Sequence, residues 1–255
     1  MILFDQITFG PIQSRRLGVS LGVNLLPVDA KICSFNCIYC ECGFNTTMQQ
    51  APIPNREQVY EALETKLKSM LAENKTPDVI TFAGNGEPTL HADFENIIND
   101  TIELRNKYCQ SAKVSVLSNS TRIHKPSVFN ALSRVDNNIL KFDSAIDDTL
   151  KLIDQPNNEQ FNVEWLITQL QKFNGKLIIQ TMFLRGEFNG ELFDNTTDVE
   201  VNAWLNALEL IKPEKVMIYS TDRETPAKNL EKVSATELEI IANKAKDRGF
   251  EVSVA

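Results

Sequence analysis

No apolar run in this chain approaches the roughly 18 residues that a membrane-spanning helix needs, and Met1 to Gly10 hold neither a basic stretch nor a long apolar one. Neither a membrane span nor a secretory leader is expected, which makes the expectation a soluble, cytoplasmic protein. Low-complexity tracts are missing from a composition that is 42% hydrophobic and 24% charged, and this excludes a disordered chain. Basic residues are outnumbered, 26 against 34 acidic, and the net charge of −8 argues against non-specific binding of a phosphate backbone. A local basic patch would still leave room for RNA. Histidine is scarce: His91 and His124 each begin a predicted helix, where a solvated helix end is the expectation. Cysteines number five, and four fall within ten positions, a clustering that excludes a disulfide framework and favours metal binding in a reducing compartment.

What is present is an alternation of strands and helices over 255 residues, long enough for one large core. Gly10-Pro11 reads as a turn, and Val19, Leu21, Val23 and Leu25 alternate as in a strand, with Gly18 and Gly22 marking a bend or a close backbone approach. Ala51 to Pro54 breaks regular structure. Asn55 and Gln58 have the spacing of a capping box ahead of a helix through Val59, Leu63, Leu67 and Leu71. Strands are then predicted over 78–83, 113–117, 139–142, 177–183, 215–219 and 251–254. Helices are predicted over 91–108, 126–134, 162–173 and 199–211, and a last one is capped by Ser234 and Glu237. Strands separated by helical crossovers pair in parallel. Six repeats fall short of the eight of a closed barrel, so the expected fold is α/β, an open (β/α)6 partial barrel over 1–255 with a short N-terminal strand or hairpin over about 1–27. Functional residues are expected at the C-terminal strand ends.

Cys33, Cys37 and Cys40 form a C-x3-C-x2-C pattern in the stretch Ile32 to Gly43. Thiolates suit iron–sulfur clusters and zinc alike. A short loop with these spacings reaches three corners of a cubane and leaves the fourth iron open. The alternative is a structural zinc site with Cys42 as the fourth thiolate, although zinc sites usually pair two separated C-x2-C knuckles and no second one exists here. Cys42 is otherwise a bystander, and Cys109, at a helix end, is expected to be buried and inert.

Further candidates follow the predicted strands. Gly84-Asn85-Gly86-Glu87-Pro88 sets glycines where a ligand approaches the backbone and a carboxylate that would suit an ammonium; a Gly-rich turn with a helix-capping acid is the plainer account. Ser118 and Asn119 offer a hydroxyl and an amide for a carboxylate or ribose, or cap the next helix. Asp143 would accept ribose hydroxyls or cap its own loop. Gln180 and Arg185 would face the cavity mouth if their strand is central, with a surface salt bridge the other role for Arg185. The apolar run 216–219 is expected to pack the sheet. The loops 188–197 and 222–229 are expected to supply a substrate pocket.

The cysteine pattern, with Tyr39 just before its last cysteine, resembles the radical S-adenosylmethionine (radical SAM) superfamily, and the strand–helix repeat extends that resemblance over nearly the whole chain. The resemblance implies a [4Fe–4S] cluster on Cys33, Cys37 and Cys40 whose open iron binds the amino and carboxylate groups of S-adenosylmethionine (SAM). One electron then cleaves a carbon–sulfur bond and yields a 5′-deoxyadenosyl radical that abstracts a substrate hydrogen. It further implies that the Tyr39 backbone lies near the adenine, that Gly84 to Pro88 correspond to a glycine-glycine-glutamate element, with Asn85 and Gly86 at the glycine pair and Glu87 on the methionine amino group, and that Ser118 and Asn119 match SAM-contacting positions. Asn85 departs from the glycine pair. A flavodoxin- or ferredoxin-like electron donor is implied as a partner.

Gly10-Pro11, Ser14 to Gly18, Leu21-Gly22 and Glu41-Cys42-Gly43 resemble the wyosine-synthetase-related Fe–S oxidoreductases, a group that includes enzymes acting on a tRNA guanine derivative. The wyosine enzymes carry cysteines for a second cluster or a flavodoxin domain, and this sequence has neither. Three functions stay open: modification of RNA or a nucleoside, with Arg15 and Arg16 near the entrance; radical chemistry on a peptide, a protein (as in a glycyl-radical activase) or a small metabolite; and a non-enzymatic zinc- or cluster-binding module.

Overall fold

The computed structural model describes residues 2–14, 17–46 and 49–255; Arg15 and Arg16 lie outside the described residues. An eight-stranded sheet runs in the order β1 (Thr8–Ser14), β2 (Gly18–Val23), β3 (Val79–Phe82), β4 (Lys113–Ser118), β5 (Asn137–Lys141), β6 (Ile178–Met182), β9 (Lys215–Tyr219) and β11 (Val252–Val254). Only the β1–β2 pair is antiparallel. The crossovers are α1 (Arg56–Ala72), α2 (Phe94–Tyr108), α3 (Pro126–Leu132), α4 (Asp147–Asp154) with α5 (Val163–Gln171), α6 (Asp198–Ile211) and α7 (Ala235–Asp247). Six strand–helix units from β2 to α7 build the expected partial barrel, and β11 adds a strand beyond β9.

The two faces of the sheet have different chemistry. Ile80, Phe82, Val114, Val116, Leu140, Ile179, Val216 and Ile218 point to the helices and join the main core, where Leu63, Ile98, Leu132, Trp204 and Leu208 are buried. The concave face keeps a small apolar group, Ile139, Ile178 and Met217, beside a belt of short polar side chains. In that belt Ser20 Oγ and Thr81 Oγ1 lie 2.8 Å apart, and Asn137 Nδ2 donates to Ser115 Oγ at 2.7 Å. Small polar residues there leave the barrel interior open.

Both predicted capping boxes form, Asn55 with Gln58 and Ser234 with Glu237. On α1 the buried stripe is Val59, Leu63, Leu67 and Met70, and Leu71 is exposed. Each four-residue step on a helix overshoots a full turn by about 40°, so after two such steps a three-residue step restores the stripe to the core. Gly10-Pro11 is a bulge inside β1 rather than a turn, since the β1–β2 register shifts between Phe9 and Ile12. Gly22 is a close approach: a Cβ there would lie 2.1 Å from the Phe9 ring.

Four of the strands and helices were not expected. α4 is a short helix closed by a left-handed Gln155. β7 (Leu184–Phe188) and β8 (Glu191–Asp194) form a hairpin whose turn residues Asn189 and Gly190 both have positive φ, and β10 (Leu230–Lys232) pairs with β7. Among the described residues no helix is long and apolar enough to cross a membrane.

Candidate functional site

The stretch 32–43 follows β2 and is held by backbone hydrogen bonds on two sides. On one side Ile32 N donates to Asn85 O at 2.9 Å and Glu87 N donates to Ile32 O at 3.1 Å. On the other, Asn36 N donates to Asp154 O and Ile38 N to Ile153 O, both at 3.0 Å, using carbonyls that the end of α4 leaves free. Gly86 makes the first contact possible. Its φ is +133°, and a Cβ would fall 1.8 Å from Ile32 O. Gly86 therefore admits the cysteine loop's own backbone.

One cleft of about 350 Å³ opens at the C-terminal strand ends. Cys33, Cys37, Cys40, Tyr39, Gly84, Gly86, Glu87, Ser118, Asn119 and Gln180 all line it. Asn85, Pro88 and Asp143 do not. Asn85 is fully buried facing away, with its amide bonded to Phe4 N, Phe4 O and Pro27 O, so its departure from a glycine pair serves to pin the N-terminal segment. Pro88 opens a short 3-10 turn, Pro88–Leu90. Asp143 is 1% exposed, and both its oxygens are taken: Oδ1 accepts from Met182 N, and Oδ2 from the Tyr39 hydroxyl and Lys141. It sits behind the cleft wall.

Glu87 is the one carboxylate buried in that wall, at 2% exposure. It accepts from Ser118 Oγ at 2.8 Å and from Asn119 N at 2.7 Å across the β3–β4 gap, and from Thr89 N at 3.1 Å. Burial nevertheless outweighs these donors and pushes its pKa up. No cation pairs with it among the described residues. Asn119 turns its side chain to the cysteine loop, donating to Ser34 Oγ at 2.9 Å and to Cys33 Sγ at 3.4 Å.

Burial pushes the Cys33 thiol up to about 12, aided by the charge of Glu87, and burial drives Cys37 well up. Contact with the Cys42 side chain holds Cys40 down at about 6 against burial, with the Lys31 charge assisting. Cys42 also lines the cleft and donates to Gly84 O at 3.3 Å. Buried thiols that resist ionisation become ligands when positive metal supplies the missing charge. Among the described residues no three Cys, His, Asp or Glu side chains converge to hold a metal ion. The three thiols of the pattern share the wall of the one cleft.

Lys141, unremarked in the sequence, also lines the cleft and lies over the Tyr39 ring, 4.3 Å from its centroid, and pairs with Asp143 and, at 2.8 Å, with Asp154. Burial disfavours its charge, yet the two aspartates hold the ammonium well above the ordinary lysine range. His91 is buried, contrary to the solvated position expected for it: Nε2 is 2.7 Å from Pro54 O and Nδ1 accepts from Asp93 N. The helix after it begins only at Phe94. His124 is exposed, edge-on to Trp165. Arg185 pairs with Asp194 and Glu237, the salt-bridge alternative for it. Cys109 is 5% exposed. Of the two loops expected to form a pocket, 188–197 is spent on the β7–β8 hairpin, while Asp222, Arg223 and Thr225 do line the cleft.

The family model of the radical SAM superfamily matches residues 28–196. The protein called GTPase Obg of Brachyspira hyodysenteriae is 33% identical over 235 residues, covering 91% of this chain but only 32% of that protein. The chain thus spans about a third of that relative. A UPF0026 protein of Synechocystis is 32% identical over 226 residues, 86% of this chain and 76% of its own length. Among solved structures, a radical SAM methyltransferase from Sphaerobacter thermophilus superposes with TM-score 0.68 at 14% identity, over 92% of this chain and 65% of that one. TYW1 with a lysine-pyruvate adduct superposes with TM-score 0.63 at 14% identity, over 89% and 73%. At such identities the superpositions speak for the partial barrel alone. The chain belongs to the radical SAM superfamily.

Proposed function

We propose that Cys33, Cys37 and Cys40 hold a [4Fe–4S] cluster and that the same cleft binds SAM, with Glu87 receiving the methionine ammonium. The observation that carries this reading is that three thiols and one buried carboxylate, with no cation paired to it among the described residues, line a single cleft at the strand ends. When bound, such a cluster supplies the electron that cleaves SAM to methionine and a 5′-deoxyadenosyl radical. The chain's own residues do the positioning. Ser118 and the Asn119 amide orient Glu87, Asn119 donates to the Cys33 sulfur, and the Tyr39 side chain forms part of the cleft wall.

Beneath the cleft lies a second hollow of about 230 Å³ inside the barrel, sharing Ala83, Leu117 and Gln180 with it. The Gln180 amide is 8% exposed and has no side-chain hydrogen bond among the described residues, so it is available to a bound molecule. We place the substrate there. Its class follows the N-terminal and cysteine-loop resemblance: an RNA base or nucleoside. The net charge of −8 favours the alternative, a peptide, protein or small metabolite. An external one-electron donor completes the reaction.

The test is electron paramagnetic resonance of the anaerobically reconstituted, dithionite-reduced protein. SAM is expected to change the signal of the wild type. Glu87→Ala is expected to keep the cluster and lose that change. An unaltered response in Glu87→Ala refutes the role of Glu87. For the substrate, tRNA binding is measured against salt; no affinity even at low ionic strength removes the RNA reading.

A further inference from the structure

Lys31 is among the largest fully buried side chains, at 2% exposure. Its ammonium donates to Gly43 O at 2.8 Å, and no carboxylate pairs with it among the described residues. Lys141, a half-buried lysine of the cleft wall, has two aspartates. A buried ammonium with a carbonyl for its partner is unfavourable unless a counter-charge is close. Its ammonium sits at the end of the cysteine loop: the Gly43 it donates to hydrogen-bonds Cys40 O through its own N–H at 2.8 Å, and Ile32 alone separates Lys31 from Cys33 along the chain. A cubane held by three thiolates carries net negative charge, and reduction adds one more. Lys31 has the counter-charge missing and the cluster has it in excess.

We propose that Lys31 is a positioning residue whose ammonium, fixed on Gly43 O at the turn that carries Cys40 and Cys42, is the built-in counter-charge of the cluster and sets its reduction potential. A nearby fixed cation favours the more negative, reduced form. The inference rests on the reading of Cys33, Cys37 and Cys40 as cluster ligands.

The test compares Lys31→Gln and Lys31→Arg with the wild type, all reconstituted anaerobically, by iron and sulfide content and by redox titration of the cluster. Glutamine keeps a donor for Gly43 O and removes the charge; arginine keeps both. The expected result is full loading in all three. In Lys31→Gln the reduction equilibrium shifts at least tenfold toward the oxidised form, about 59 mV for a one-electron couple; in Lys31→Arg it moves less than threefold. Loss of loading in Lys31→Gln alone, with Lys31→Arg loaded, is the same requirement for charge in a stronger form. A fully loaded Lys31→Gln with the wild-type potential overturns the inference and leaves the cluster reading standing. Loss of loading in both variants makes Lys31 a packing residue and also overturns it. A wild type that takes up no iron overturns the cluster reading, and this inference with it.

Discussion

Gly86→Ala is a one-carbon change with a calculable consequence. The new Cβ would stand 1.8 Å from Ile32 O, on a backbone at φ +133°, a region L residues rarely adopt. The neighbouring atom is backbone, so no side chain can rotate away. Either residue 86 moves or the start of the cysteine loop does. Holding alanine at that φ costs about 1–3 kcal/mol. Separating the segments also breaks the two hydrogen bonds that join Ile32 to Asn85 and Glu87, each worth about 1 kcal/mol net. Together this is about 3–5 kcal/mol. Urea unfolding of the apo protein reads it as a lower midpoint with the slope unchanged. Because Ile32 precedes Cys33 directly, iron bound after reconstitution is expected to fall as well. An unchanged midpoint together with wild-type iron content would refute the claim that this glycine docks the loop.

Other outcomes follow from the buried charges. Burial raises the Glu87 pKa in the fold. Between the ordinary carboxylate range and the raised value, the folded state keeps a proton that the unfolded chain releases, so stability falls as pH rises through that window. Apo Glu87→Gln should therefore match the wild type near pH 4 and exceed it near pH 8, by about 1.4 kcal/mol for each tenfold by which burial weakens the acid; thermal melts at the two pH values check this, and SAM should raise the melting temperature of the wild type alone. Lys141→Met strands Asp143 and Asp154 without their cation and is expected to cost about 3–5 kcal/mol. That deficit grows as pH rises, because Asp154, whose pKa burial already pushes up to about 8, must then be buried charged without its cation; urea midpoints across pH measure it. Phe82→Ala, at 0% exposure under the helices, is expected to cost about 3–5 kcal/mol in the same assay.

The barrel's repeating units are readable because each carries its own signal. β9 matches its prediction residue for residue, and both capping boxes are local patterns of four residues. The hairpin β7–β8 also carries a local signal, one that strand alternation does not reveal: Asn189-Gly190 supplies the two positive φ values that a tight turn between strands requires. α4 has eight residues and no side-chain cap, too little periodicity to stand out. At the site, the thiols and Glu87 are legible because their residue types are chemically rare in such spacing. Facing is not legible. Asp143 and Asn85 follow strands as the lining residues do, and only the pairing of each carboxylate or amide with residues far along the chain turns them from the cleft. Lys31, Lys141 and His91 are invisible for the same reason: burial of a polar side chain is decided by partners distant in sequence.

The most direct measurement is 5′-deoxyadenosine formation from SAM by the anaerobically reconstituted, dithionite-reduced protein, with Cys37→Ala alongside. A brown wild type holding four irons per cluster and releasing 5′-deoxyadenosine, beside a colourless, inactive variant, is the expected result. A colourless wild type with one bound zinc and no product, or full turnover in Cys37→Ala, would contradict it.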